Sequence, residues 1–318
     1  QYNVPITRQN MANWTILCAE RYLSILYDYL HKYLYRCHVI QADETPLLVN
    51  KDGRPVGSKS YMWVYRTGKY QTDRQVILYD YQKTRKADHP REFLKDFRGV
   101  CVTDGYQAYH TLEGELEDLE ISGCWAHSRR RYDEAVKALP KSEQKMSLAY
   151  LALSQIQQIY HEEAELQDMT PTERRKHRQK FIKPLVDAYF NWIRINIDKV
   201  MPKSKTHNGM TYSLNQEKYL RRFLDDGEIP IDNNAAEQSI RSFCIGKKNW
   251  VMCDTINGAK SSAIIYSLVG TAKANKLRLY EYFNYLLTEI PEHMDDKNND
   301  FCEKLLPWSD ELSAECRK

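Results

Sequence analysis

The chain has 318 residues, of which 28% are charged and 42% hydrophobic, which is the balance of a soluble globular protein with one large domain or two smaller ones. It contains no run of eighteen apolar residues, which excludes a transmembrane helix, and no signal peptide is visible. The formal net charge of +3 excludes a uniformly basic protein, although a small sum can hide patches of opposite sign.

The charges are in fact segregated along the chain. Acidic residues cluster in EGELEDLE and EHMDDKNND, whereas basic residues cluster in HSRRRY, ERRKHRQK and IGKKNW. A chain that separates its charges in this way can bind DNA on one face.

The eight cysteines are scattered, and none forms a Cys-x-x-Cys pair. We therefore expect reduced thiols in a cytoplasmic protein rather than a disulfide framework. In CWAH, Cys124 and His127 are either half of a zinc site or a buried thiol beside a polar histidine, and the second interpretation is favoured because no other half is visible. The first residue is Gln1 rather than Met, so we expect a fragment of a longer protein.

The first part of the chain predicts helices followed by a β-meander. Apolar residues recur at helical spacing in TRQNMANWTILCAERYLSILYDYLHKYLY, which indicates one or two helices. Three runs rich in aromatic and β-branched residues follow, joined by turn-forming sequences: CHVIQAD, SYMWVYRT and RQVILYDY.

The next part alternates strands and helices and is then interrupted. The helix HPREFLKDF precedes GVCVTDG, a continuous apolar run typical of a buried strand. GYQAYHTL predicts a helix, EISGCWA a fifth strand and HSRRRYDEAVKAL another helix. Residues 141–228 are helical in pattern throughout and predict an all-helical insertion. IPIDNNAAEQSIRSF then opens a helix, KNWVMCDT predicts a short extended piece, and two further helices follow.

Two aspartates, Asp43 and Asp104, each close a predicted strand, where acidic residues are depleted. If the two strands are neighbours, the carboxylates lie side by side, and one pKa rises unless a cation intervenes. Mg²⁺ commonly binds through one or two carboxylates and substrate phosphate oxygens. Alternatively, each aspartate caps the turn that follows it, in DET and DGY.

Glu237 also has two interpretations. The spacing from Asn234 to Glu237 matches a capping box, in which Glu237 folds back onto the start of its helix. The apolar stripe of this helix is Ala236, Ile240 and Phe243, so Glu237 lies on the flank of the stripe and would point to the edge of the sheet.

Five strings, in order along nearly the whole chain, resemble the transposases of the bacterial insertion sequence sixty-six family, which are of the Asp-Asp-Glu type. They are QADETP, VTDGYQAY, CWAHSRRRYDEA, IPIDNNAAEQSIRSFCIGKKNW and GAKSSAIIYSLVGTAKANKLRLYEYFNYLLTEIP. Members of this family usually carry an N-terminal region with DNA-binding and cysteine-rich elements, and we expect this sequence to start just downstream of it.

The resemblance implies an α/β fold, namely a ribonuclease-H-like mixed sheet flanked by helices and interrupted by an all-helical insertion. The implied organisation is a helical lead-in at residues 1–36, a catalytic domain at 37–140 and 229–275, the insertion at 141–228 and a C-terminal helical segment at 276–318. The three acids of the family motif fall on Asp43, Asp104 and Glu237.

The expected activity is metal-dependent cleavage and strand transfer of DNA at insertion-sequence ends. The three acids would hold two Mg²⁺ ions, for which Mn²⁺ is a possible substitute. The expected partners are double-stranded DNA at the element ends and target, further copies of the chain in a synaptic complex, and small accessory proteins of the element, with no membrane. We expect a cytoplasmic bacterial protein that associates with the nucleoid when it acts.

Basic residues near the acids are candidate DNA contacts, each with an ordinary solvated surface charge as the alternative. Arg241 is the strongest because it lies one helical turn from Glu237. Trp125 either stacks on a flipped base or packs in the core, and packing is commoner. The full set of DNA candidates is Arg129, Arg130, Arg241, Lys247, Lys248 and Lys260, and the residues predicted to support the site are Trp125, His127 and Asn234.

Four rival functions remain. A structure-specific nuclease would share the metal site but would not join strands. A non-catalytic DNA-binding remnant is disfavoured by three intact acids. A tyrosine recombinase, suggested by 23 tyrosines, lacks a convincing arginine-rich pocket. A glycosidase built on paired carboxylates does not account for the basic clusters.

Overall fold

The structure, a computed structural model, describes residues 5–318. The chain divides into two compact units, the first formed by Gln1–Arg98 and Ala235–Lys318 and the second by Gly99–Asn234. Both units contain strands and helices, which confirms the predicted mixed α/β class. In the part of the chain that the structure describes, no helix combines the length and apolar character needed to cross a membrane.

The first unit opens with helices and an antiparallel meander, as predicted. Its opening elements are α1 (Arg8–Cys18), α2 (Ser24–Leu34), β1 (Val39–Lys51), β2 (Lys59–Thr67), β3 (Ile77–Gln82) and α3 (Asp88–Leu94). A π-helical turn, Ala19–Leu23, joins α1 to α2. Thr7 caps α1 by accepting a hydrogen bond from the Asn10 N–H.

Strand β1 is longer than the sequence pattern predicted. We expected a strand that ended at Asp43, but the pairing with β2 continues as far as Leu48. The extension has a simple cause, because Thr45, Leu47 and Val49 are buried and alternate with more exposed neighbours. Asp43 therefore lies inside a strand rather than at its end.

The second unit contains one pair of parallel strands and is otherwise helical among its described residues. Its elements are β4 (Gly99–Thr103), α4 (Gln107–Glu115), β5 (Leu119–Gly123), α5 (Trp125–Lys137), α6 (Lys141–Gln144), α7 (Leu148–Ala164), α8 (Pro171–His177), α9 (Lys183–Asn196), α10 (Lys205–Asn215) and α11 (Glu217–Arg221). Residues 141–228 hold only helices and loops, as predicted, while the domain boundaries stay a prediction.

The first unit closes with a strand and four helices. These are α12 (Asn234–Trp250), β6 (Cys253–Thr255), α13 (Ile256–Ala274), α14 (Leu279–Glu292) and α15 (Cys302–Leu305). The extended piece predicted for KNWVMCDT is confirmed at its last three residues, which form β6, and is wrong at its first three, which complete α12. The helix continues since Phe243 packs on Trp250, seven residues further on, with ring centroids 5.5 Å apart.

A hydrophobic cluster joins α12 and α13 to one face of the meander. From α12 it takes Ala236, Ile240 and Phe243, which confirms the predicted apolar stripe. From the strands it takes residues such as Met62 and Val64. The same face of the sheet therefore carries α12 along much of its length.

Helix α13 also covers the outer edge of β3 with hydroxyl groups. Ser267 Oγ accepts a hydrogen bond from the Tyr79 N–H at 2.7 Å. Thr271 Oγ1 accepts one from the Ile77 N–H at 3.0 Å and donates one to the Ile77 carbonyl oxygen at 3.0 Å. These side chains replace the partner strand that β3 lacks on this side.

Asn275, directly after α13, continues the pattern. Its Oδ1 atom accepts a hydrogen bond from the Gln75 N–H at 3.2 Å, and its Nδ2 atom donates one to the Gln75 carbonyl oxygen at 2.7 Å. The spacings match because four helical residues advance about 6 Å and two strand residues about 6.6 Å. We call the set Ser267, Thr271 and Asn275 the edge ladder.

Candidate active site

Asp43 lies within β1 with its side chain on the face that packs against α12. In the register of β1 and β2 it is opposite Val64, which shares the hydrophobic cluster with Ala236 and Ile240. Residues directly opposite each other on paired strands share a face of the sheet. Asp43 Oδ1 accepts a hydrogen bond from the Glu44 N–H at 2.9 Å. The turn-capping interpretation of Asp43 is wrong, because the strand continues past it.

Glu237 is not placed to form a capping box. Helix α12 begins at Asn234, so Asn233 occupies the N-cap and Ala236 the third helical position. The interpretation that made Asn234 the N-cap is therefore wrong. Asn234 is instead held by Asp232, whose carboxylate accepts hydrogen bonds from the Asn234 N–H at 3.1 Å and from its side-chain amide at 2.8 Å.

Two contacts show how α12 runs along β1. Near the start of the helix, Arg66 donates a hydrogen bond to the Ala235 carbonyl oxygen at 3.2 Å, and Arg66 lies opposite Gln41 in the strand register. Further along, the Cys244 thiol donates to the Thr45 hydroxyl at 3.4 Å. The helix therefore follows the strand in the same direction, from the level of Gln41 to the level of Thr45.

These contacts bring Glu237 and Asp43 to the same region of the first unit. Glu237 lies between the two contact points on the helix, and Asp43 lies between them on the strand. Both carboxylates are partly buried. The residues that position them are the apolar ones of the stripe, which fix the rotation of α12 about its axis.

Asp104 directly follows β4 in the second unit, as predicted. Its Oδ1 atom accepts a hydrogen bond from the Tyr106 N–H at 2.9 Å, so the turn-capping interpretation is confirmed for this oxygen. The next residue, Gly105, lies so close to Tyr212 of α10 that an added Cβ atom would be 2.8 Å from its ring and hydroxyl. The helical segment therefore supports the backbone that carries Asp104.

His110, one turn into α4, is a titratable neighbour of this turn that the sequence reasoning missed. Its ring stacks on that of Tyr219, with centroids 3.9 Å apart. Burial lowers the pKa of His110, while the carboxylates of Glu113 and Asp104 oppose the shift. We therefore expect a neutral imidazole beside the Asp104 turn at neutral pH.

The six predicted DNA contacts differ in their surroundings. Lys247 donates hydrogen bonds to the Pro46 carbonyl oxygen at 2.7 Å and to the Thr45 hydroxyl at 3.4 Å, so it ties α12 to β1. The other five have exposed side chains: Arg129, Arg130, Arg241, Lys248 and Lys260. A role in DNA binding stays a prediction for all six.

Trp125 packs in the core of the second unit. It is fully buried, its indole N–H donates to the Leu220 carbonyl oxygen at 2.8 Å, and its ring contacts Tyr189 and Phe190. The interpretation in which it stacks on a DNA base is wrong, because the ring has no exposed face.

The thiol of Cys124 is buried, and it accepts a hydrogen bond from the Asn233 N–H at 3.2 Å. A ring nitrogen of His127 lies within 4.8 Å of this sulfur. None of the eight cysteines, all of which lie in the described part of the chain, forms a disulfide, as predicted. The arrangement is compatible with both interpretations that the sequence left open, namely a buried thiol and half of a zinc site.

The sequence matches two family models that together span nearly all of it. Residues 1–261 match the model described as transposase IS66 family, and residues 267–308 match the IS66 C-terminal element. This chain belongs to the IS66 transposase family. The resemblance recognised in the sequence is thereby confirmed.

Relatives of the chain include proteins of Sinorhizobium fredii (strain NBRC 101917 / NGR234). The uncharacterized protein y4qI is 28% identical over 316 residues, a match that covers 96% of this chain and 57% of that protein. The uncharacterized protein y4jD is 26% identical over 320 residues, covering 97% of this chain and 60% of that protein. The chain therefore spans less than two thirds of the length of these relatives.

Proposed function

We propose that the chain is the catalytic region of an IS66 transposase, which cleaves DNA at the ends of an insertion sequence and transfers the freed strand to target DNA. Membership of the family supports a DNA-processing enzyme. The observation that carries the acidic site is the placement of Asp43 and Glu237 on one face of the first unit, along the line where α12 follows β1.

We propose that Asp104 is the third acid of the site. One of its oxygens is engaged in the turn, and we propose that the other binds metal together with Asp43 and Glu237. The donor set fits Mg²⁺ because all three residues offer carboxylate oxygens, the ligands that hard divalent cations prefer. When bound, two Mg²⁺ ions would activate the attacking oxygen and stabilise the leaving oxygen of an in-line displacement.

The chain's own groups would hold and orient the substrate. We propose that Arg241 and Lys248, exposed on α12, bind phosphates of double-stranded DNA. Lys247 ties the helix that carries Glu237 to β1 through its hydrogen bond to the Pro46 carbonyl oxygen. The ribonuclease-H-like arrangement, the action as a homo-oligomer in a synaptic complex and the cytoplasmic, nucleoid-associated location belong to the same proposal.

The test is DNA cleavage and joining by the chain with Mg²⁺, with and without chelator, on a plasmid that carries the DNA flanking the coding sequence. We expect Asp43→Asn, Asp104→Ala and Glu237→Gln each to abolish cleavage and to keep most DNA binding, which phosphate contacts dominate. The control is Asp73→Asn, which removes one negative charge, as the other variants do, but at an exposed aspartate that is not one of the three acids. Equal cleavage by Asp104→Ala and the unaltered chain would contradict the proposal.

The same assay separates transposition from simple hydrolysis. Joined products require a freed 3′-hydroxyl to attack a second DNA, whereas a structure-specific nuclease yields only nicks. If the chain nicks DNA in an acid-dependent way but forms no joined product at any Mg²⁺ or Mn²⁺ concentration, the nuclease alternative replaces the transposase.

A further inference from the structure

A groove of about 510 Å³ lies between α12 and α13 in the first unit, above β2 and β3. Its volume is within the range of sites that bind small ligands. Its walls come from Ser242 and Asn249 of α12 and from Tyr266 and Lys273 of α13, and Arg66 lies at its inner end. We call it the α12–α13 groove.

Arg66 is a half-buried cation whose hydrogen-bond partners are all neutral. It donates to the carbonyl oxygens of Thr67 and Ala235 at 3.1 and 3.2 Å, to the Ser239 hydroxyl at 3.3 Å and to the Gln75 amide oxygen at 3.2 Å. Burial lowers the pKa of Arg66, and the opposing contribution comes from the Tyr79 hydroxyl rather than from a carboxylate. Buried charges are normally paired, so this guanidinium is unusual.

The groove has positive charge and no acid. Among the described residues, the lining includes Arg66 and Lys273 but neither an aspartate nor a glutamate. Lys273 is exposed at the rim. An anion in the groove would compensate both cations, and a phosphate group matches the planar fork of an arginine.

The remaining walls suit the rest of a nucleotide. The amide side chains of Gln238 and Asn249 and the hydroxyl of Ser242 offer hydrogen bonds. Ile245, which is 59% exposed, and the ring of Tyr266 offer apolar surface on which a base can pack. The walls are firm, because Tyr266 packs on Phe243 with ring centroids 5.1 Å apart.

We propose that the α12–α13 groove binds a nucleotide of a single DNA strand, with its phosphate at Arg66 and Lys273 and its base against Tyr266 and Ile245. The chemistry requires only a phosphorylated nucleotide, and the choice of a DNA strand as its source rests on the proposed function. The groove would then hold one strand beside the helix that carries Glu237.

The test uses a single-stranded hexathymidylate with one 4-thiothymidine, in chelator so that metal at the acids does not contribute. We expect ultraviolet crosslinks in peptides that contain Tyr266 or the end of α12, located by mass spectrometry. We expect Lys273→Gln to weaken binding about 2- to 5-fold, measured by fluorescence anisotropy, since an exposed ion pair contributes about 0.5–1 kcal/mol. The slope of log K against log salt should fall by about 0.7.

Two further variants protect the result against misfolding. Arg66→Gln removes the inner cation, and Ser242→Phe fills the mouth of the groove from an exposed position while leaving Arg66 in place. We expect both to abolish the crosslink. Lys297→Gln, at an exposed lysine outside the groove, should change neither affinity nor salt slope.

Crosslinks confined to other peptides, or unchanged binding in Ser242→Phe and Lys273→Gln, would overturn the groove as a binding site. Displacement of the strand by thymidine monophosphate at equal nucleotide concentration would overturn the DNA source, because a strand should bind better than its monomer. Failure of Mg²⁺-dependent cleavage would leave the groove standing if the crosslink persists, so the two proposals fail separately.

Discussion

Replacing Thr271 by valine tests whether the edge ladder is a structural requirement of the first unit. Valine has nearly the same shape as threonine but has no hydroxyl, so the Ile77 N–H and carbonyl oxygen both lose their partner. Thr271 is 1% exposed and Ile77 8% exposed, so water cannot readily take the place of the missing hydroxyl group. Each unsatisfied buried group costs about 1–3 kcal/mol, and we therefore expect about 2–6 kcal/mol of destabilisation from the two groups.

The matched control is Thr271→Ser, which keeps the hydroxyl and removes one methyl group. We expect it to cost only about 1 kcal/mol, the value of a buried methyl. Urea denaturation gives the free energies of unfolding, and hydrogen exchange at the Ile77 amide gives the local effect. The reasoning is refuted if Thr271→Val is as stable as Thr271→Ser, or if the Ile77 amide stays equally protected in both.

Two further predictions concern buried charges. Burial raises the pKa of Asp80 from 3.8 to about 6, so ionisation of this carboxyl destabilises the folded chain, with no penalty below about pH 4 and the full penalty above about pH 6. In urea titrations, Asp80→Asn should therefore add about 1–3 kcal/mol to the free energy of unfolding at pH 7.5 and nothing at pH 4. A lower stability of Asp80→Asn at pH 7.5 would contradict this prediction. Glu163→Gln should lower the free energy of unfolding by about 3–5 kcal/mol, because it leaves the fully buried Arg178 without its carboxylate partner. The control Glu162→Gln, at a more exposed neighbouring residue, should lower it by less than about 1 kcal/mol. Equal midpoints of the two variants in thermal melts would refute the role of Glu163 as the partner of Arg178.

The sequence predicted the features that depend on local periodicity. The spacing of Ala236, Ile240 and Phe243 predicted an apolar stripe, and in the structure those residues are buried against the sheet. The meander and the helical run at residues 141–228 were legible for the same reason. The predicted end of β1 was too early because Asp43 was interpreted as the last residue of the strand, whereas the alternation of buried residues continues beyond it.

Features that depend on distant contacts could not be predicted. Nothing in the neighbourhood of Trp125 shows that its indole N–H meets the Leu220 carbonyl oxygen, 95 positions along the chain. The edge ladder likewise joins residues about 190 to 200 positions apart. Arg66 did leave a signal, a charged residue inside the apolar strand run SYMWVYRT, which the sequence reasoning passed over.

The edge ladder has a consequence for self-association. An edge strand with unpaired N–H groups can pair with a strand of another chain, which leads to aggregation and to domain swapping. In the first unit, the N–H groups of Ile77 and Tyr79 already donate hydrogen bonds to hydroxyl groups of α13, so they are not available to a strand of another chain. Where copies of this chain reach a high local concentration, these two positions of β3 are therefore not available for pairing with a strand of another copy.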